Sequence, residues 1–530
     1  MAVYQRFKRV ALSLSDITGS AYARAACEAR ALLAGEDVEA LRALADKSVD
    51  FYPEATHARQ LRLLSEVGQS ILSGELSSSS GATSRAFESA TNAGRAPVST
   101  FGLLRVGEDG VLRLITKSEH YHTPLGHGFS GYRLLEHARR LGIPNATHNN
   151  TRGHITRLLE EELIREANGL GHEQEELSRI LRIQDPYVVN RVLNLETGSL
   201  AVEAALKMIL ARFYRMENES GAPKYLGRRP VFLVIGDDTG GLQANYHGTT
   251  ILAQSMRGMW PDFYQAAQNQ GLFSVCALRP NVFSDVEQVF ERYERGGAKI
   301  AGFFHEIVMM NYGARLLSKE YLQCVYDLCR EYDVPTVIDE IQSCLWAPDL
   351  FMFRELGLKP SFVAVGKGFS GGEYAASRVL FSAAMDCMPQ FGALVTNGQE
   401  ELASLSYLIT MRWAKANREV TRSVGDYYED GLRNLAQEQE DVVAGVEGRR
   451  HLCALRLRNV DMAKQLAAIL QVLGLDVSAQ SYKAECPPCV LTKIPLIADC
   501  DVVDFILEKM AEALVKLKRN SGESEGRVPS

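Results

Sequence analysis

Short apolar runs alternate with helix-like segments between residues 185 and 395, and this alternation constrains the fold more than any other feature. The predicted strands are Pro230–Gly236, Phe273–Leu278, Ile300–Val308, Val334–Ile338, Ser361–Val365 and Arg378–Ser382. Each run is almost continuously apolar, as expected for a sheet that is covered on both faces. The pattern therefore predicts an α/β domain with a mainly parallel or mixed sheet.

The other parts of the 530-residue chain differ in pattern from this domain, and several domains are expected at this length. The predicted order is a helical N-terminal extension (1–95), a segment that leads into the core and contributes to a small domain (96–184), the large α/β domain (185–395), a small C-terminal α+β domain (396–518) and a disordered polar tail (519–530). In the extension, a second helical stretch begins near Ala58 and places Leu61, Leu64, Ile71 and Leu72 on one face. A hairpin is predicted at LLRV-GEDG-VLRLI, with Asp109-Gly110 in the turn.

Composition excludes several classes of function. The net charge is −7 and 46% of the residues are hydrophobic, so no electrostatic feature points to nucleic acid or an anionic membrane as a partner. No apolar run approaches the ~20 residues that span a bilayer, and the N-terminus lacks the apolar core of a signal peptide. The ten cysteines are scattered, which favours reduced thiols and a cytoplasmic protein. The pair Cys486 and Cys489 lacks two further ligands, so we predict no metal site.

The segment Thr197-Gly198-Ser199 stands directly before an amphipathic helix. Small residues at a helix start present free backbone N–H groups and the positive end of the helix dipole, which suits a phosphate. Most Ser/Thr-Gly helix starts are simple caps, so this segment alone leaves both interpretations open.

Two charged residues follow predicted strands of the large domain. Asp339 follows Val334–Ile338, where open α/β sheets bind ligands, and a buried carboxylate needs a cationic partner such as a protonated pyridine nitrogen. Taken alone, Asp339 could equally cap the next helix. Lys367 lies between two glycines after Ser361–Val365, and a lysine in such a dry site has a lowered pKa that suits Schiff-base chemistry.

The same stretch imitates a dinucleotide-binding motif. Gly366, Gly368 and Gly371 match GxGxxG, which should open a full crossover helix. The next predicted strand begins at Arg378, too close for such a helix, so the sequence argues against dinucleotide binding.

Taken together, these motifs resemble the class III aminotransferases, which depend on pyridoxal 5′-phosphate (PLP) and have the fold of type I PLP enzymes. The resemblance runs in order over roughly residues 100–518. Asp339-Glu340-Ile341-Gln342 is similar to the family's DE[VI]Q motif, and Val365-Gly366-Lys367-Gly368 is similar to its lysine motif. The lysine follows the aspartate by 28 residues, as in the family.

The resemblance implies PLP as the cofactor of the large domain, with Lys367 as the Schiff-base lysine and Asp339 as the partner of the pyridine nitrogen. The cofactor-binding residues that it implies are Thr197, Gly198, Ser199, Tyr246, His247, Gln342, Glu306 and Thr396. Thr396 falls where the family supplies a phosphate contact from the neighbouring subunit, which implies a homodimer with shared active sites.

The elements that read the substrate depart from the family pattern. The family's EPIQGEGG element reads EIVMMNYG from Glu306 onward, and Thr249 replaces an arginine after Tyr246-His247-Gly248. Near the C-terminus, Lys493 stands where many members have an arginine that holds the substrate carboxylate. A lysine cannot reproduce a bidentate arginine clamp, so a changed substrate is expected.

The resemblance implies an aminotransferase that moves an amino group from an amine or amino acid donor to a keto acid or aldehyde acceptor. Lys367 would serve as the acid and base at the carbon that bears the amine. Because the same fold also serves racemases, aminomutases, decarboxylases and lyases, another PLP reaction remains an alternative. A dinucleotide-dependent oxidoreductase and a non-catalytic scaffold are more distant alternatives.

Overall fold

The computed structural model describes residues 6–74, 76–117, 122–145, 150–217, 221–242, 244, 247–395, 398–480 and 486–525. The strands β1 to β19, in chain order, are Ala11–Leu12, Val49–Asp50, Pro97–Phe101, Leu104–Gly107, Leu112–Ile115, Val189–Leu195, Arg229–Ile235, Ser274–Leu278, Ala298–His305, Val308–Met309, Arg315–Leu316, Thr336–Asp339, Phe362–Val365, Ser377–Ser382, Val443–Arg449, Leu452–Leu457, Leu475–Asp476, Ser478–Gln480 and Cys489–Lys493. The α-helices of these residues, α1 to α19 in chain order, are Leu14–Thr18, Ser20–Ala34, Val38–Ala45, Glu54–Leu63, Arg85–Ala90, Arg133–Arg140, His154–Asn168, Gln174–Ile180, Gly198–Leu210, Ile251–Ser255, Pro261–Asn269, Phe283–Tyr293, Lys319–Glu331, Met352–Glu355, Gln390–Ala393, Glu401–Ala416, Arg418–Glu438, Val460–Val472 and Cys500–Glu525.

The central sheet has seven strands in the order β6-β14-β13-β12-β9-β7-β8. The strands from β13 to β8 are mutually parallel, and β14 runs antiparallel to both β13 and β6. Each of the six strands predicted from the apolar runs is present, with ends shifted by at most three residues. The prediction of a mainly parallel sheet is confirmed, and β6 is a further strand that the sequence pattern did not identify.

Helices cover both faces of this sheet, which explains the continuous apolar runs. On β7, Phe232 and Val234 pack into the core that contains the inner face of α9, whereas Val231, Leu233 and Ile235 pack into the opposite core. Since successive side chains of a strand point to opposite faces, every position of such a strand has to be apolar.

The carboxyl ends of several strands meet at one edge of the sheet. Asp339 at the end of β12 is opposite Ala364 of β13. Val365 at the end of β13 and Leu195 at the end of β6 both pair with the start of β14. This register brings the residues after β6, β12 and β13 to the same edge.

The N-terminal segment packs against the rest of the molecule. The Phe7 ring lies 5.5 Å from that of Trp413 on α16, and the Lys8 amide donates to Asn417 Oδ1 at 2.7 Å. His57 on α4 forms a 2.9 Å ion pair with Asp499, just before α19.

One predicted feature of this segment is wrong. Helix α4 ends at Leu63 and is followed by a short 3-10 turn to Glu66, so Ile71 and Leu72 do not share a helix face. The Ile71 amide donates to the carbonyl of Gly110 at 2.8 Å, and Ser70 forms a bridge with Val111. The segment lies along the predicted hairpin, which is confirmed as β4 and β5, and this tertiary pairing replaces the helix.

Outside the central sheet, β1 pairs with β2 and β10 pairs with β11 in two-stranded sheets, and two four-stranded sheets have the orders β15-β16-β19-β18 and β17-β5-β4-β3. The second sheet joins distant parts of the chain, because β17 pairs in parallel with β5. Helix α19 extends to Glu525, into the segment predicted as a tail. None of the helices in the described ranges combines the length and the apolar character that a membrane span requires.

Candidate active site

A cavity of about 350 Å³ opens at the carboxyl edge of the central sheet. Its walls come from the residues after β6, β12 and β13 and from the loop before α10. The lining residues are His122, Glu196, Thr197, Gly198, Ser199, His247, Gly248, Asp339, Ile341, Gln342, Lys367, Tyr374, Ala375 and Ala376. The structure therefore brings the separate sequence motifs together in one pocket.

Lys367 begins a short 3-10 turn, Lys367–Ser370, directly after Gly366. Its φ of 43° lies in the left-handed region, which is uncommon for residues other than glycine. Burial lowers the pKa of Lys367, while the nearby carboxylates of Glu306 and Asp339 raise it to a smaller extent. A larger fraction of neutral amine makes this lysine a better nucleophile at neutral pH. The turn leads to β14 without the crossover helix that a dinucleotide-binding GxGxxG motif should open.

Asp339 is only 5% exposed and is held from two sides. Its Oδ1 accepts a hydrogen bond from the Ile341 amide at 3.0 Å, and its Oδ2 lies 3.2 Å from Nδ1 of the buried His247. The helix-capping role considered for Asp339 is filled instead by Glu340. This neighbouring carboxylate accepts the amides of Met352 and Phe353 at 2.9 and 2.7 Å, at the start of α14.

The start of α9 forms a cradle that leaves no room for larger residues. A Cβ atom at Gly198 would lie 2.2 Å from Ile341 Cδ1, and one at Gly248 would lie 2.6 Å from Ser199 Cα. The Thr249 amide donates to Ser199 Oγ at 3.0 Å, which fixes the loop against the helix. Within the described residues, the Thr197 side chain makes no capping hydrogen bond. The first N–H groups of a 13-residue helix therefore face a narrow, glycine-walled space.

A buried polar cluster supports the floor of the pocket. Gln342 Nε2 donates to Glu306 Oε1 at 3.3 Å, whereas Gln342 Oε1 is buried and has no hydrogen-bond partner among the described residues. His247, Glu306 and Asp339 each place a nitrogen or carboxylate oxygen in this cluster, and these three atoms lie within 4.8 Å of one another. An unpaired buried oxygen beside this cluster indicates that a polar group of a ligand belongs here.

Two of the predicted site residues, Tyr246 and Thr396, lie outside the described residues. The other predicted site residues line the pocket, except Glu306, which accepts a hydrogen bond from the pocket residue Gln342. The pocket also includes residues that the sequence did not identify as site residues, notably Glu196 and Tyr374. The hydroxyl of Tyr374 accepts a hydrogen bond from Arg139 at 2.5 Å, a contact between distant segments that no local pattern indicates.

His122, which the sequence did not assign to the site, also lines the pocket. Burial and the nearby charges of Lys367 and Lys493 lower the pKa of His122, which favours a neutral imidazole at neutral pH. The geometry thus combines a reactive amine, a buried carboxylate and an anion cradle, which is the set of groups that a phosphorylated aromatic aldehyde would require.

Comparison with known proteins gives a consistent result. The family described as aminotransferase class III matches residues 162–514, about two thirds of the chain. An ornithine aminotransferase from Emericella nidulans is 24% identical over 350 residues, which cover 64% of this chain and 72% of that protein. An acetylornithine aminotransferase from Aquifex aeolicus is 23% identical over 374 residues, covering 68% of this chain and 89% of that protein.

Solved structures share the fold. An ornithine aminotransferase from Toxoplasma gondii superposes with a TM-score of 0.63 at 18% identity, covering 80% of this chain and 91% of that one. A transaminase from the marine bacterium Virgibacillus superposes with a TM-score of 0.64 at 16% identity, covering 83% and 96% of the two chains.

Proposed function

The chain belongs to the class III aminotransferases, and we propose that it transfers an amino group from an amine or amino acid donor to a keto acid or aldehyde acceptor, with Lys367 as the reacting lysine. The family membership makes it a PLP-dependent aminotransferase. The roles of individual residues and the donor and acceptor classes are the proposal.

The residues of the pocket fit PLP. The N–H groups of Gly198 and Ser199 would hold the phosphate in a cradle that a single added Cβ would fill. Asp339 would face the pyridine nitrogen, and the unpaired Oε1 of Gln342 provides an acceptor for a polar substituent of the ring. Lys367 would hold the aldehyde carbon as a Schiff base. When bound, PLP supplies an electron sink for the carbon that bears the amine.

The residues of this chain have distinct tasks in the proposed reaction. The Lys367 amine would take the proton from the donor's amine-bearing carbon, and its lowered pKa increases the fraction of neutral amine that can accept it. Asp339 would keep a proton on the ring nitrogen, and its contact with His247 fixes the carboxylate in place. The single observation that carries the proposal is the convergence of Lys367, Asp339 and the start of α9 on one pocket.

The visible absorbance spectrum tests the proposal. We expect a Schiff-base band in the purified protein that borohydride removes and that Lys367→Ala lacks. Consumption of keto acid in equal amount to the loss of donor amine would support transamination. Loss of the amine without loss of keto acid would favour a racemase, lyase or decarboxylase instead. A Lys367→Ala protein that turned over amines at the wild-type rate would refute the assignment.

We also propose a cytoplasmic homodimer with shared active sites. Apolar side chains are exposed on and beside α10 and α11, close to the Gly248 wall of the pocket, at Ile251, Met259, Trp260 and Phe263. An exposed apolar patch of this kind supports burial in a subunit interface. The ten cysteines all lie among the described residues and none of them forms a disulfide, which supports a reducing compartment. Sedimentation analysis tests the dimer: Trp260→Glu should shift the mass towards the monomer.

A further inference from the structure

Lys493 at the end of β19 is fully buried, with 0% of its surface exposed. Its Nζ donates a hydrogen bond to the main-chain carbonyl of Gln342 and lies 3.5 Å from the centre of the Trp346 ring. Trp346 is fixed in turn, because its Nε1 donates to the carbonyl of Ile494 at 3.0 Å. The amine is therefore held between a carbonyl and an aromatic face.

Lys493 stands behind the wall of the pocket. The residue is not among those that line the pocket, and its amine group is already engaged on the side of the protein core. Burial lowers the pKa of Lys493 well below the ordinary lysine value. Placing an amine in such a site costs free energy, so the contacts that it makes have to offset that cost.

The contact with Gln342 links two parts of the fold. Gln342 follows Asp339 by three residues, and its side chain reaches the pocket and contacts Glu306 at 3.3 Å. Lys493 belongs to the C-terminal sheet, whereas Gln342 belongs to the loop after a central strand of the large sheet. One hydrogen bond thus connects the C-terminal sheet to the backbone that carries the pocket floor.

We propose that Lys493 is a positioning residue that holds the main chain of Gln342 from behind the pocket, and that it does not bind a substrate carboxylate. The inference rests on the proposed function, because it assumes that the position of Gln342 affects the affinity for the bound cofactor. In this role Lys493 acts on the bound cofactor through Gln342, while any substrate carboxylate is read by other groups.

The test measures PLP binding to the apoprotein by fluorescence titration in Lys493→Met. This variant preserves most of the side-chain volume and leaves the Gln342 carbonyl without its donor. The loss of about one net hydrogen bond predicts roughly tenfold weaker PLP binding. Thr492→Val is the matched control: Thr492 is also buried on β19, and its hydroxyl contacts Tyr428 and Cys453 on the opposite face. It should lower stability without changing PLP affinity.

A double-mutant cycle with Gln342→Ala tests whether Lys493 acts through Gln342. Lys493→Met should weaken PLP binding much less in the Gln342→Ala background than in the wild type. The proposal would be overturned if Lys493→Met bound PLP with wild-type affinity, or if it lost the same affinity in the wild-type and Gln342→Ala backgrounds. An equal loss of PLP affinity in Thr492→Val would also overturn it. Should Lys493→Met not fold, the same cycle is run with Lys493→Leu, which is also apolar and also leaves the Gln342 carbonyl without its donor.

A matched pair of probes tests the second half of the proposal. 4-Aminobutanoate and 1-aminobutane differ only in the carboxylate, and their binding is followed by the visible band of the PLP-loaded protein. Lys493→Met should change the two affinities by the same factor. A loss confined to 4-aminobutanoate would show that Lys493 binds the carboxylate. If wild type and Thr492→Val lack the Schiff-base band, the proposed function fails independently of Lys493.

Discussion

Replacing Gly248 by alanine tests whether the start of α9 and the neighbouring loop form the phosphate cradle. Gly248 has a φ of 109°, a conformation that residues with a side chain rarely adopt. The added Cβ would lie 2.6 Å from Ser199 Cα, 2.7 Å from Ser199 Oγ and 2.8 Å from Ser199 Cβ. The closest atom belongs to the backbone, so a change of rotamer cannot relieve the clash.

The size of the effect follows from two costs. Backbone strain at a non-glycine residue costs about 1–3 kcal/mol, and overpacking costs about 1–3 kcal/mol. The clash is relieved only if the loop moves away from Ser199 or the helix start is displaced, and either change opens the cradle. Restoring the cradle around the phosphate would then cost ~3 kcal/mol, which corresponds to roughly 150-fold weaker PLP binding.

The assay is fluorescence titration of the apoprotein with PLP, and Gly240→Ala is the control. Gly240 also has a positive φ, 91°, but a Cβ there would meet nothing within 4 Å. This variant therefore carries the backbone strain without the clash and should bind PLP with nearly wild-type affinity. Wild-type affinity in Gly248→Ala, or an equal loss in Gly240→Ala, would refute the assignment of the cradle.

Three further predictions concern charged groups. Asp339→Asn should lower kcat by at least about a hundredfold while the protein still folds, because an amide cannot hold a proton on the ring nitrogen as a carboxylate does. Single-turnover spectroscopy measures the loss of rate. An unchanged rate would contradict the proposed role of Asp339 at the ring nitrogen. Burial raises the pKa of Glu340 from 4.5 to about 7, so its ionisation destabilises the fold by about 3 kcal/mol as the pH rises from about 4.5 to about 7. Chemical unfolding between pH 5 and 8 should therefore show a smaller decrease in the free energy of unfolding for Glu340→Gln than for the wild type. Parallel pH profiles of the two proteins would contradict this prediction. The hydrogen bond to Asp499 raises the pKa of His57, so the stabilising contribution of this ion pair is complete at pH 5 to 6 and is lost as the pH rises through the folded-state pKa. Thermal unfolding should therefore show that His57→Gln lowers the melting temperature more at pH 5.5 than at pH 8.5. An equal decrease at both pH values would exclude this ion pair as the cause.

The sequence predicted the central strands because their apolar runs are local and continuous. It also predicted Asp339 and Lys367 as site residues, because each follows such a strand at the end where open α/β sheets bind ligands. The resemblance to the class III aminotransferases then paired the two residues. Helix α4 shows the limit of local patterns: apolar spacing favoured a helix through Ile71, but pairing with the hairpin β4–β5 took that segment instead.

Only the tertiary structure decided which partners these residues have. A periodic pattern predicts that a strand such as β19 is buried, but it does not say what lies against each face. The burial of Lys493 against Trp346 and the Gln342 carbonyl depends on contacts across about 150 residues of chain, and so does the link between Arg139 and Tyr374 across 235 residues. By itself, the sequence determined most strands of the central sheet and where Lys367 and Asp339 stand relative to them. Packing between distant segments determined which side chains face the pocket and which support it from behind, because those contacts exist only once the chain has folded.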